Sequence, residues 1–233
     1  MKRQRKEFRL AVRRIITGVA VATIATGSAM ASGPHYVGQK AFQTADRRAK
    51  KQVREMLTFL RDQAGKTMVS GQTDYPDLEW VTKETGKTPL ILNLDFMSYT
   101  TQMGKKVDST QRAIEWSQKR HGIVSYQWHW VSPLGAKELG KGFYTGSTTF
   151  NLATAMADPN SDAYKAILSD IDDVAAEMKK MDRAGVPILF RPLHEAQGRW
   201  FWWGDKGAAP CVALYKLIYH RLTDFHRLHN LVF

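Results

Sequence analysis

Cysteine is nearly absent. The one present among 233 residues, Cys211, has no partner in the chain for a disulfide. In an exported protein such a residue reads as a small buried apolar group. No cysteine and histidine spacing suggests a structural metal. The His-Glu-x-x-His pattern, which sets two imidazoles and a base on one helical face, is missing. So are a Gly-x-Gly-x-x-Gly after the first expected strand and a Gly-Lys-Ser/Thr phosphate loop, which makes a nucleotide-binding doubly wound sheet a poor fit. No cofactor and no metal are expected. Long apolar runs are lacking too: Ile15 to Ala25 is short for a membrane span and carries Thr and Gly.

Acid is the scarcer charge, 22 Asp and Glu against 34 Lys and Arg, a net +12. Residues 1–31 hold seven of the bases (Lys2, Arg3, Arg5, Lys6, Arg9, Arg13 and Arg14) and one acid, Glu7. Without them 27 bases face 21 acids, a net +6. Half the basic excess therefore sits in one short segment, followed by the apolar stretch and by Ala29-Met30-Ala31. That is the pattern of a secretory signal peptide cut after about Ala31. An uncleaved anchor is the alternative, and Arg13-Arg14 is a weak sign of twin-arginine export. The expectation is export to the periplasm or the extracellular space, with no stable membrane association after cleavage. The remaining charge is poor support for a nucleic-acid partner, and none is expected. Oligomeric state is left open.

Beyond an irregular lead-in from Ser32 to Gln43, strands and helices alternate. A helical period starts at Ala45, with Val53, Met56, Leu57 and Leu60 on one face, and stops at Gly65. Lys66 to Gln72 reads as a first strand, Asp77 to Thr85 as a short helix, and Pro89 to Phe96 as a second strand ending near Asp95. Asp108 or Ser109 caps a helix running to Arg120. Ile123 to Trp130 is the third strand. Val131 to Asn160 is a long Gly-rich excursion of the kind that is usually functional. Asp158 or Ser161 caps the strongest helix, in which Ile167, Leu168, Ile171, Val174, Met178 and Met181 keep the three-and-four spacing. After Gly204, Pro210 suits the first turn of a helix reaching about His229, and Asn230 to Phe233 begins a fifth strand. Regular alternation of this kind means parallel β/α units.

Val186 to Gly204, VPILFRPLHEAQGRWFWWG, concentrates the chemistry. Val186 to Phe190 is the fourth strand; Arg191, His194 and Glu195 crowd its exit, and Trp200, Phe201, Trp202 and Trp203 follow. A protonated carboxyl can hand its proton to a glycosidic oxygen, and indole faces can lie against the C–H face of a sugar ring. Arg-Pro-Leu-His-Glu followed by Trp-Phe-Trp-Trp-Gly resembles the acid/base segment of glycoside hydrolase family 26, chiefly endo-β-1,4-mannanases. Trp128-His129 resembles a Trp-His pair of the same family.

The resemblance implies a (β/α)8 TIM barrel. A whole one takes about 250 residues and eight strands, so the expectation is a barrel truncated after about four β/α units at the start of strand five, with residues 32–233 its N-terminal part. It implies a polysaccharide substrate of mannan type. It makes Glu195 the general acid/base, with His194 before it where the wider clan usually has Asn. His129 then lies against the sugar, Arg191 braces the site, and Trp200 is the aromatic at the cleavage point. Trp128, Trp202 and Trp203 join the substrate-binding set, lining or supporting the cleft. Ala196-Gln197-Gly198-Arg199 departs from the Met-Asn-Gly-Gly form of some members, so Arg199 is a candidate for altering a subsite.

A general acid must be protonated at working pH, which calls for burial near tryptophans and a neighbouring carboxylate. The implied nucleophile is a Glu at the end of strand seven, beyond these strands. The nearest acids present, Asp95 and Asp205, read as structural or solvated groups. Plainer readings stand beside the others: His129 as a core histidine, Trp202 or Trp203 as core, Arg191 in a salt bridge. The rival functions are a glycan-binding protein without turnover, a half barrel that dimerises over its open edges, or action on β-xylan or mixed-linkage β-glucan.

Overall fold

The structure is a computed structural model that describes residues 44–103 and 109–233. The expected signal peptide, the lead-in and Asp108 lie outside the described residues. Five strands, β1 (Gly71–Thr73), β2 (Ile91–Asp95), β3 (Ile123–Gln127), β4 (Ile188–Arg191) and β5 (Leu231–Val232), form one sheet in chain order. Every neighbouring pair is parallel. Side chains alternate across the sheet: Leu92 and Leu94, Val124 and Tyr126, and Ile188 and Phe190 are all buried. Register aligns Asp95 with Gln127 and Gln127 with Arg191, so three polar residues stand in one row at the carboxyl ends.

Helices α1 (Lys51–Gln63), α2 (Tyr75–Thr85), α3 (Ser109–Arg120), α4 (Leu152–Ala157), α5 (Asp162–Arg183), α6 (Trp202–Asp205) and α7 (Ala208–His220) join these strands. In α5 the apolar spacing becomes packing, and Ile167, Ile171, Val174, Met178 and Met181 are each at most 1% exposed. Ser161 caps it, its hydroxyl accepting the Tyr164 N–H at 3.2 Å.

Several boundaries differ from expectation. Helix α1 starts at Lys51, not Ala45, because the Asp46 carboxylate accepts the Arg48 N–H at 2.9 Å and holds that turn out of the helix. Of the first expected strand, Lys66 to Gln72, only Gly71 and Gln72 pair with β2, the pairing runs on to Thr73, and Met68 is 93% exposed. Ser109 already belongs to α3. The excursion is more ordered than its composition suggests: it contains α4, capped by Asn151, and two antiparallel bridges, Ala136 to Thr148 and Tyr144 to Phe201. Pro210 does sit in the first turn of α7, which ends at His220 and passes into a π-helical turn, Arg221–Phe225.

Candidate active site

The polar row at the strand ends is wired together. Asp95 Oδ1 accepts the backbone N–H groups of Met97 at 2.9 Å and His129 at 3.0 Å. Its Oδ2 faces His129 Nδ1 at 2.5 Å and accepts Gln127 Nε2 at 3.2 Å. Arg191, exposed, donates to Gln127 Oε1 at 3.4 Å and forms no ion pair among the described residues. His129 Nε2 lies 3.2 Å from His194 Nε2. His194 is only 6% exposed, and its Nδ1 is buried with no hydrogen-bond partner among the described residues. Burial first, then the neighbouring His129 and Arg191, push its pKa down to about 4, against the pull of Asp95 and Glu195. Near neutral pH His194 is uncharged.

The loop after β4 turns sharply to present the next residue. Leu193, Glu195 and Arg199 all have left-handed backbone, with φ of 53°, 58° and 58°. Such conformations cost on the order of 1–3 kcal/mol each in non-glycine residues, so the surroundings must enforce them. Two glycines contribute by having no side chain. A Cβ on Gly198 would lie 2.0 Å from the Trp200 ring, and one on Gly204 would lie 2.1 Å from the Ala196 carbonyl oxygen. The excursion straps the loop from outside, with the Thr145 N–H on the Trp200 carbonyl at 2.8 Å and the Thr145 hydroxyl on the Arg199 carbonyl at 3.0 Å.

This places Glu195 in the open, with the Trp200 indole N–H donating to its Oε2 at 3.2 Å. Trp200 is itself 48% exposed. The burial among tryptophans expected for Glu195 is not what is found. An exposed carboxyl holds one indole N–H instead.

The other tryptophans depart further from expectation. Trp128, Trp202 and Trp203 are 2%, 1% and 0% exposed, so no ring face is left for a sugar, and the substrate-contact reading of these three is corrected to one of wall and support. Two of the three indole N–H groups are spent on the framework, whereas Trp128 Nε1 is buried with no hydrogen-bond partner among the described residues. Trp203 donates to the His194 carbonyl at 3.0 Å and Trp202 to the Trp130 carbonyl at 2.6 Å. Trp130 donates to Asp170 Oδ2 at 2.7 Å and stacks on Trp128 at 3.9 Å between centroids. His129 is packed edge-on against His194 and Phe201.

Sequence reading left Asp95 as a structural or solvated acid and missed its bond to His129. Its level position beside Gln127 was the available signal, but 34 residues separate it from His129. Tyr144, exposed beside Phe201, was missed as well. Asp205 pairs with Lys206 at 2.6 Å. The pocket lined by Leu134, Phe150 and Ala163 includes none of the acid-bearing residues.

An exposed acid at a parallel strand's carboxyl end, held by an indole and backed by a histidine pair, is the geometry to set beside known proteins. The family described as Glycosyl hydrolase family 26 matches residues 45–233. The chain belongs to that family. A mannan endo-1,4-β-mannosidase of Thermothelomyces thermophilus is 41% identical over 187 residues, covering 77% of this chain and 39% of that protein. Mannan endo-1,4-β-mannosidase A of Piromyces sp. is 35% identical over 192 residues, covering 77% of this chain and 31% of its own length. The chain thus spans from 31% to 39% of the length of these relatives. Among solved structures, a family 26 β-(1,4)-mannanase from Podospora anserina superposes with a TM-score of 0.76 at 38% identity, over 78% of this chain and 43% of that one. The five parallel strands of this family 26 chain match the TIM-barrel structures of its relatives over that partial length.

Proposed function

We propose that the protein to which this chain belongs is an exported, retaining endo-β-1,4-mannanase with Glu195 as its general acid/base. The observation that carries this reading is the pairing of an exposed Glu195 with an exposed Trp200 whose N–H rests on its Oε2. With one oxygen held by the indole, the other is left to carry the proton. In the first step the Glu195 carboxyl protonates the departing glycosidic oxygen while a carboxylate about 5–5.5 Å away attacks the anomeric carbon. In the second, the Glu195 carboxylate removes a proton from the water that releases the sugar. Trp200, half exposed, stacks on the sugar ring at the cleavage point. Asp95, committed to four hydrogen bonds, and Asp205, paired with Lys206, are poor nucleophiles. The attacking carboxylate is sought at the end of a later strand. The names of the mannan-cleaving relatives support a mannan-type substrate, and the basic and apolar pattern of residues 1–31 supports export.

The test is Glu195→Gln in the full-length protein. Mannan hydrolysis should fall by about 10²–10⁴-fold, the usual worth of a positioned acid/base. Cleavage of an aryl mannoside whose leaving group needs no protonation should show a burst followed by slow turnover, and azide should accelerate the slow phase. Mannan hydrolysis at an undiminished rate would remove Glu195 from the role.

A further inference from the structure

We propose that Asp95 is a positioning residue that fixes the ring protons of two histidines in series, His129 and then His194, and so keeps a pair of neutral imidazoles in one orientation beside Glu195. The hydrogen-bond partners dictate the arrangement. Both Asp95 oxygens are acceptors, so His129 Nδ1, at 2.5 Å from Oδ2, carries a proton. In neutral His129 that leaves Nε2 as an acceptor, and its neighbour at 3.2 Å is His194 Nε2. His194 Nε2 must then bear the second proton. Its Nδ1 is left with a bare lone pair, buried and without a partner among the described residues.

The competing arrangement puts a charged His129 against Asp95 and has it donate to His194 Nε2. His194 would then carry its proton on Nδ1, a buried N–H with no acceptor, and orphaned buried N–H groups are the rarer defect. His194 is itself held neutral by burial. No lysine or arginine pairs with Asp95 among the described residues, so its charge remains directed at His129.

This goes deeper into the same site and rests on the proposed catalytic reading only for what the fixed protons serve. Neutral imidazoles beside a carboxyl donate no competing proton, and a histidine locked at both ring nitrogens keeps its place against a sugar.

Asp95→Asn tests the relay because the backbone dictates which way the new amide faces. Oδ1 accepts two backbone N–H groups, from Met97 and His129, and the Asn oxygen must take that place. The amide NH2 then faces His129 Nδ1 and donates to it, driving the proton to Nε2. That proton points at His194 Nε2, whose own proton is displaced to Nδ1.

The experiment is nitrogen-15 NMR of the histidine rings in the full chain at neutral pH. His129→Gln and His194→Gln identify the two rings by loss of their signals. The expected wild-type result is His129 neutral with its proton on Nδ1 and His194 neutral with its proton on Nε2. In Asp95→Asn both protons should change nitrogen. A doubly protonated His129, or either proton on the other nitrogen, in the wild type overturns the proposal, and so do protons that stay put in Asp95→Asn. If that variant does not fold, the wild-type spectrum alone decides. Ring protons are read without turnover, so the relay can be found in a protein that fails to cleave mannan, and refuted in one that succeeds.

Discussion

The mouth of the strands and the seam joining residues 44–50 to residues 219–230 use the same side chains to opposite ends. At the seam, buried Asp46 binds His229 at 2.7 Å and has Arg48 at 3.6 Å, and the Lys50 N–H reaches the His229 carbonyl at 2.8 Å. Asp224 takes His220 at 2.7 Å together with Arg48. Nearby, Asp172 accepts two bonds from Arg221, at 2.8 and 2.7 Å, and one from His226 at 2.6 Å, whose other nitrogen meets Lys179 at 3.0 Å. Each of these carboxylates has an arginine beside it. At the mouth, Asp95 has an imidazole, an amide and two backbone N–H groups, and Glu195 has an indole. Carboxylates balanced by arginine fasten chain segments to one another. Those at the mouth pair with no arginine or lysine among the described residues.

The contrast can be broken most severely at the aromatic wall. Trp203 is fully buried and holds the His194 carbonyl, so Trp203→Ala opens a cavity and strands that oxygen; urea unfolding should show a loss of about 3–5 kcal/mol. A loss below about 1 kcal/mol would mean that the wall does not hold the mouth together.

Acid should then separate the two regions by pH window. The folded pKa of His194 is depressed to about 4, against about 6.5 in an unfolded chain. Between those values the unfolded state binds more protons. The stability His194 contributes is therefore fully present above about 6.5 and lost as pH falls towards 4, by at most about 3 kcal/mol. Asp172 is raised by burial, but its bonds from Arg221 and His226 outweigh that and leave it below the usual carboxylate range. Its contribution is present above about pH 4, the unfolded value, and disappears only below it. Unfolding free energies at pH 7, 5.5 and 4.5 should therefore decline in the wild type and flatten in His194→Gln. Parallel curves for the two proteins would remove His194 as the source.

The smallest effect belongs to the seam. Asp172 is 37% exposed, so solvent screens its pairing; Asp172→Asn should cost about 1 kcal/mol, and 1 M salt should narrow the difference. A cost several times larger, insensitive to salt, would show the seam to be held by burial instead of charge.

How far the molecule could be read in advance depended on the distance over which each contact acts. Helix α5 was legible because its apolar spacing and Ser161 cap are both local. The pairing of Glu195 with Trp200 was nearly so, since five residues separate them. β1 was not, because pairing with β2 alone set its bounds at Gly71–Thr73, where the extended stretch read from the sequence was Lys66 to Gln72. Asp95 and His129 meet only through the register of β2 on β3. Composition is equally silent on the fate of Trp128, Trp202 and Trp203: one residue type lies half exposed at position 200 and fully buried at 202 and 203, according to what lies over the ring.

The space that Gly198 leaves for the Trp200 indole has a consequence for any reshaping of this cleft. Residues 198 and 200 cannot vary independently: the smallest addition at one would lever the ring at the other off its seat, and the carboxyl it steadies would go with it. Libraries that diversify position 200 should therefore hold position 198 constant, or randomise the two as a couple.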